Sequence, residues 1–150
     1  MLNVGDTVPD FQLPDQSGEL VTLDELVAAG EFILYFYPAD FSPVCTAEAC
    51  SFRDSYAGLE ELGIQIVGVS PQSHESHRRF ANSFSIPFPL LADPGKKLVR
   101  AAGVDGPMGF GVRRATYLVG TDKVVRNRVV ADVFIQSHMD LIREVQKTKK

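Results

Sequence analysis

The sequence predicts an α/β domain with a central mixed β-sheet flanked by helices. Three observations carry this. FILYFYP (32–38) and IQIVGVS (64–70) are continuous apolar runs, as strands buried on both faces would be, and a helical stripe of Phe52, Tyr56 and Leu59 lies between them. Strand, helix and strand in that order make a parallel crossover unit. RRATYLV (113–119) and VVRNRVV (124–130) are two further strand patterns joined by GTDK, a hairpin signal that adds antiparallel pairing to the same sheet.

The other elements follow in order. Residues 1–21 are rich in Pro, Asp and Gly and predict an extended arm with short strands or turns. Thr22 and Glu25 have capping-box spacing and open a short helix that Gly30 ends. After the first core strand, Ser42 is the expected N-cap and Pro43 the first residue of a second helix, which Gly63 closes. Ser73 caps a helix over 74–84. SIPFPLLAD ends it, and Asp93 with Pro94 reads as cap and first residue of another helix, stopped at Gly103. The Gly-rich stretch GPMGFG (106–111) is expected to be a flexible loop. Ser137 begins a last helix with Met139, Ile142 and Val145 on one side, and KTKK (147–150) reads as a solvated, frayed end. A βαβ unit, a helical connection, a hairpin and a final helix match the thioredoxin-type layout over one domain, residues 1–150.

Composition narrows the function. Apolar residues make up 45% and charged residues 23%, as in an ordinary soluble domain. A net charge of −4 argues against nucleic acid or an anionic membrane as partner, since either needs a basic surface. The longest apolar run is strand-sized, and MLNVGDTVPDF lacks the cationic and apolar regions of a signal peptide, so a cytoplasmic location is the expectation. Thiols are kept reduced there, and a close cysteine pair is more often catalytic or metal-binding than a structural staple.

Both cysteines of the chain, Cys45 and Cys50, fall in YPADFSPVCTAEAC (37–50). The layout puts Cys45 in the first turn of the helix after the first core strand, at the strand end where open α/β sheets bind ligands. A helix N-terminus presents unpaired N–H groups and the positive end of a dipole, a setting that favours a thiolate. Cys45 is therefore a candidate nucleophile. Cys50, five residues on, stands ~140° around and ~7.5 Å along a regular helix. The implied Cα separation of ~8.6 Å exceeds the ~7 Å that a disulfide tolerates. If the two pair, the first turns of this helix must unwind.

Pro38-Ala-Asp-Phe-Ser42-Pro-Val-Cys45 resembles the peroxiredoxin signature of proline, three residues, threonine or serine, two residues and cysteine. CTAEACSFRD (45–54) is similar to the Q-type peroxiredoxins, also called bacterioferritin comigratory proteins. GDTVPDFQL, YFYPADF, VGVSP, FPLLADP and RATYLV extend the resemblance over nearly the whole chain. It implies reduction of hydrogen peroxide and organic hydroperoxides without metal or organic cofactor. It also implies Cys45 as peroxidatic cysteine, Cys50 as resolving cysteine forming an intramolecular disulfide, and recycling by thioredoxin or a similar dithiol protein. By the same resemblance Ser42 takes the family's threonine position, Arg114 its arginine in Arg-Ala-Thr-Tyr-Leu (114–118), and Glu48 a glutamate that orients that arginine. The resemblance further implies that Pro38 shields the site and holds the loop, and it leans toward a monomer. Serine for threonine at 42 keeps the hydroxyl but loses the methyl that restricts its rotamer. Val44 stands where many members have glycine. Arg113 adjoins Arg114 on the opposite face of the strand, and the motif register, not the strand pattern, selects Arg114.

The same residues admit other readings. Buried cysteines are often inert packing residues. Cys45 and Cys50 with His74 and His77 would supply four zinc ligands, but structural zinc sites favour two to four residues between cysteines on a tight turn, and five positions along a helix point the thiols apart. For His74 and His77 a solvated helix face is the expectation. A dithiol reductase of the same fold has two residues between its cysteines, not four. A redox-regulated binding module has no need of Ser42, Glu48 and Arg114 together. GPMGFG lacks the lysine and the strand–helix setting of a phosphate loop. Phe41 and Phe52 read as core or pocket wall, and Arg53 with Asp54 as a local ion pair.

Overall fold

Alternating apolar strands and one-sided helices resolve into a sheet with a core on each face. A computed structural model of the chain describes residues 1–109, 111–131 and 136–149. Among them, β1 (Gln12–Pro14) and β2 (Leu20–Thr22) form an antiparallel hairpin, and five strands form the central sheet in the order β5-β4-β3-β6-β7. These are β3 (Phe32–Phe36), β4 (Gln65–Ser70), β5 (Leu90–Ala92), β6 (Ala115–Val119) and β7 (Val125–Val130). β3, β4 and β5 are parallel, while β6 runs antiparallel to both β3 and β7. This is the mixed sheet of the thioredoxin-type layout.

β3 is buried at every position, as its unbroken apolar run predicts. Its alternate residues feed two cores. Phe32, Leu34 and Phe36 pack with Leu23 and Leu26 of α1 (Leu23–Ala29) and with Leu98 and Val99 of α4 (Lys97–Ala101). Ile33 and Tyr35 face the other way, toward Cys45, Ala49 and Phe52 of α2 (Pro43–Glu61), Phe80 of α3 (His74–Phe84) and Ile142 of α5 (Gln136–Lys149). Gly68 of β4 leaves room for this second core, since a Cβ there would lie 2.8 Å from the Tyr35 ring. The expected stripe of α2 is in place, with Phe52 and Leu59 fully buried and Tyr56 nearly so.

The capping chemistry holds at α1, where Thr22 Oγ1 accepts from the Glu25 N–H at 3.1 Å, and at α3, where Ser73 Oγ accepts from the Ser76 N–H at 3.2 Å. It shifts at α4. Asp93 does cap, but across a turn: its carboxylate accepts from the N–H groups of Lys97 and Val99 at 3.0 and 2.9 Å. Lys96, at φ 57°, closes Asp93–Lys96 as a separate turn, so the helix starts at Lys97 rather than Pro94. GPMGFG contains a 3-10 turn, Pro107–Gly109, and the Lys96 ammonium donates to the Gly109 and Gly111 carbonyls at 3.3 Å each; Phe110 lies outside the described residues. α5 runs on to Lys149, so Lys147 and Thr148 of the KTKK tail are exposed helical positions rather than frayed chain.

Candidate active site

The register of β6 against β3 creates the site. Ala115 pairs with Phe36, so the start of β6 lies beside the end of β3, where the chain leaves the sheet for α2. Arg114, one residue before β6, therefore meets the first turn of α2. Arg114 shares its parity with Thr116 and Leu118, on the α2 side of the sheet, whereas Ala115, Tyr117 and Val119 enter the opposite core. Arg113 has that opposite parity.

Cys45 is 1% exposed and Arg114 3% exposed. The guanidinium Nη2 donates to Cys45 Sγ at 3.1 Å and Nη1 to Glu48 Oε1 at 2.9 Å. Glu48 is fully buried, one turn after Cys45 on the same helix face. Burial pushes the Glu48 carboxyl up to about 7, against the charge and hydrogen bond of Arg114. The Arg114 guanidinium loses hydration on burial, and the neighbouring Glu48 and Cys45 more than offset this, leaving its pKa raised. Nothing of this cluster is spent on packing alone: a fork-shaped cation joins a sulfur and a carboxylate inside a closed core.

Ser42 occupies the N-cap position of α2 and Pro43 follows it in the first turn. The hydroxyl does not cap, however. Ser42 Oγ donates backwards to the Ala39 carbonyl at 3.1 Å, and only its own carbonyl serves the helix, accepting from the Thr46 N–H at 2.9 Å. The local loop competes for the hydroxyl, a common behaviour of serine at such turns. Pro38 is half-buried, and its carbonyl accepts from Ser70 Oγ at 3.4 Å.

Cys50 is half-buried on the same unbroken helix, and both thiols are free. One turn on, Arg53 is more than half of a local ion pair: besides Asp54 at 3.0 Å it reaches the Phe84 carbonyl at 2.6 Å, tying α2 to the end of α3. Phe41 is 48% exposed at φ 64°, edge-on to Phe80, while Phe52 lies in the core.

Two histidines depart from expectation or escaped it. His74 is partly exposed beside Glu75, but His77 is fully buried. Position 77 shares the inner face of α3 with Phe80 and Ala81, at spacings of three and four residues, so it cannot reach solvent. Its Nδ1 lies 2.6 Å from Asp40 Oδ2 and its Nε2 3.1 Å from the Leu91 carbonyl. Both ring nitrogens are thus engaged, and among the described residues no three His, Cys, Asp or Glu side chains gather as a metal cluster. His138 of α5 was not singled out from the sequence. It is fully buried, takes a 2.7 Å hydrogen bond with Thr116 Oγ1, and its Nδ1 stands 3.8 Å from Glu48 Oε2. Its spacing to Ile142 and Val145 on an apolar stripe was the available signal.

Residues 4–128 match the AhpC/TSA family. The chain belongs to the AhpC/TSA family. Its curated relatives include proteins named peroxiredoxin Q and peroxiredoxin Bcp. It is 40% identical over 127 residues to the chloroplastic peroxiredoxin Q of Arabidopsis thaliana, a match that covers 83% of this chain and 58% of that one. The chain thus spans under two thirds of the length of that plant relative. Among solved structures, peroxidoxin BcpB of Mycobacterium tuberculosis is 33% identical with a TM-score of 0.92, covering 100% of this chain and 99% of that one. The bacterioferritin comigratory protein of Xanthomonas campestris, described for its alkyl peroxide reduction activity, is 27% identical with a TM-score of 0.86, covering 100% and 99%. Within this family frame, Cys45, Glu48 and Arg114 form the cluster, Ser42 and Pro38 form the adjoining loop, and Cys50 stands apart on α2.

Proposed function

We propose that the chain is a thiol peroxidase that reduces hydrogen peroxide and organic hydroperoxides through Cys45. The observation that carries this is the 3.1 Å contact between Arg114 Nη2 and Cys45 Sγ inside a buried site. A guanidinium at that distance interacts favourably with the sulfur as an anion, and its planar fork of N–H donors suits a peroxide oxygen brought beside the sulfur. The sulfur lone pair attacks the terminal peroxide oxygen. An S–O bond forms, the O–O bond breaks, and sulfur is oxidised to sulfenic acid while the departing oxygen takes a proton and leaves as water or alcohol. Negative charge grows on the departing oxygen, and fixed donors aimed there lower the barrier. Ser42, whose own hydrogen is committed to Ala39, offers its lone pairs to the peroxide O–H. Pro38 closes the loop side against water, and Glu48 holds the guanidinium in plane through Nη1.

Cys50 is the resolving thiol in this reading. Its sulfur attacks Cys45, an S–S bond forms, the S–O bond breaks, and the hydroxyl leaves with the Cys50 proton as water. Because both residues lie on one helix, the first turns of α2 unwind for this step. Thioredoxin or a similar dithiol protein then reduces the bridge, in the cytoplasm, with the chain acting as a monomer.

The test is mass spectrometry of the fully reduced protein after one equivalent of hydrogen peroxide, with remaining thiols alkylated. Loss of two hydrogens and a peptide joining Cys45 to Cys50 are expected. Sulfenic acid on Cys45 with Cys50 free would move resolution to an outside thiol, and two unreacted thiols would overturn the peroxidase. Cys50→Ser is expected to consume about one equivalent of peroxide and then to cycle poorly with thioredoxin; unchanged steady-state turnover would remove Cys50 from the cycle.

A further inference from the structure

A second buried ionic centre lies in the same loop, at Asp40, five residues before Cys45. Asp40 is 7% exposed, and every polar atom of its side chain is engaged. Oδ1 accepts from the Tyr37 hydroxyl at 2.6 Å. Oδ2 accepts from Ser76 Oγ at 2.7 Å and faces His77 Nδ1 at 2.6 Å. The Asp40 backbone N–H donates to Gln72 Oε1 at 2.7 Å. On its far side, His77 Nε2 faces the Leu91 carbonyl, which has only lone pairs, so Nε2 carries a hydrogen and the Nδ1–Oδ2 contact holds one more proton between ring and carboxylate. The loop is thereby fixed to the end of β3, the turn after β4, the first turn of α3 and β5.

What the centre fixes is an uncommon backbone. Phe41, the next residue, has φ 64°, a conformation that residues with a Cβ seldom adopt and that persists where surroundings over-determine it. Ser42 and the first turn of α2 follow directly. A buried ion pair is poor value as stability alone, and its best-attested use is to fix one arrangement among several. Among the described residues, the hydrogen bonds of Asp40 join Tyr37, Gln72, Ser76 and His77, while Cys45 and Glu48 are joined by Arg114.

We propose that Asp40 and His77 are positioning residues of the peroxidase cycle: their pair clamps residues 38–42 to α3 and β5, holding the first turn of α2 wound with Cys45 against Arg114. The inference rests on the two-cysteine reading above. The clamp favours attack on peroxide, which needs the wound turn, and opposes disulfide formation, which needs it unwound. Releasing it moves the two half-reactions in opposite directions, whereas general loosening of the fold does not.

The experiment compares the wild type with Asp40→Asn and His77→Asn in single turnover. Cys45 oxidation is timed in the Cys50→Ser background, and disulfide formation in chains with both cysteines. The expected result is slower oxidation with faster disulfide formation, so that the ratio of second to first rate constant rises at least tenfold. A smaller rise, no change, or a fall overturns the proposal. Amide hydrogen exchange at 43–47 in the reduced proteins reads the clamp without peroxide, and at least tenfold faster exchange in the variants is expected. Unchanged exchange overturns the clamp itself. Faster exchange together with a wild type that forms no Cys45–Cys50 disulfide sinks the two-cysteine reading instead, and with it the clamp's part in the cycle. If Asp40→Asn does not fold, Gln72→Ala, which removes the acceptor of the Asp40 N–H and of a second Ser76 hydroxyl contact but leaves the Asp40–His77 pair in place, carries the same criteria.

Discussion

Two buried carboxylates flank the loop between β3 and α2, and the protein treats them in opposite ways. Asp40 receives two hydroxyls and a histidine. Burial alone would raise its pKa, but His77, Tyr37 and Ser76 overcome that and hold it below the ordinary range. Glu48 receives Arg114 at one oxygen, and its Oε2 has no hydrogen-bond partner. Here burial wins and the carboxyl rises to about 7. The same desolvation acts on both, and the number of donors decides the outcome. A fully satisfied centre fixes structure. A centre short of donors sits where a sulfur shares its cation and where, in the proposed function, a substrate with donors and acceptors of its own enters. Unsatisfied buried groups concentrate at such places because satisfying them would remove their capacity to interact with anything else.

The largest test of this division removes the sulfur. Cys45→Ser is expected to lower peroxide reduction at least about a thousandfold, as loss of a nucleophile does, and to leave the Asp40 centre and the fold intact by near-UV circular dichroism. Near-normal turnover in that variant would dismiss the reactive half of the comparison. Next in size is the cation. Arg114→Ala is expected to slow Cys45 oxidation by roughly 10²–10³-fold, the usual cost of losing a fixed charge-stabilising donor. Arg113→Ala, on the other face of the strand start, is expected to change it by less than about threefold on the alternation argument. Stopped-flow oxidation of both variants decides it, and the reverse order would show that the strand register was misassigned.

The reactive cluster was more legible in the sequence than the structural one, and the reason is resemblance. Cys45, Glu48 and Arg114 fall in stretches that resemble peroxiredoxin motifs, which placed them together although Arg114 is 69 residues from Cys45. Most strands and helices were likewise visible, since apolar runs and capping spacings are local. Asp40 and His77 are 37 residues apart and meet only because β4 and β5 bring α3 against the loop. Nothing local distinguishes His77 from a surface histidine except its spacing to Phe80 and Ala81 on an otherwise polar helix. His138 hid for the same reason on α5. The Ser42 hydroxyl went astray differently: the residue took the expected cap position, and a nearer carbonyl won its hydrogen. The start of α4 moved because Asp93 spans a turn before it caps.

The smallest effect sharpens the comparison most, because it has a sign. For Glu48 the folded pKa of about 7 lies above the unfolded value near 4.5, so between those pH values the folded chain holds a proton that the unfolded chain has released. Stability from this group therefore falls as pH rises from about 4.5 to about 7, with a slope approaching ~1.4 kcal/mol per pH unit in mid-window. For Asp40 the folded pKa is depressed below 3.8, so its stabilisation is present above that value and is lost as pH falls through the folded pKa. Urea unfolding of the reduced protein from pH 3 to 8 reads both. Glu48→Gln should flatten the loss between pH 5 and 7 and leave the acid limb untouched. Asp40→Asn should flatten the acid limb and leave the neutral window untouched. If Glu48→Gln instead altered only the acid limb, Glu48 would be an ordinary satisfied carboxylate, and the contrast between a centre that fixes the loop and a centre left open for chemistry would collapse.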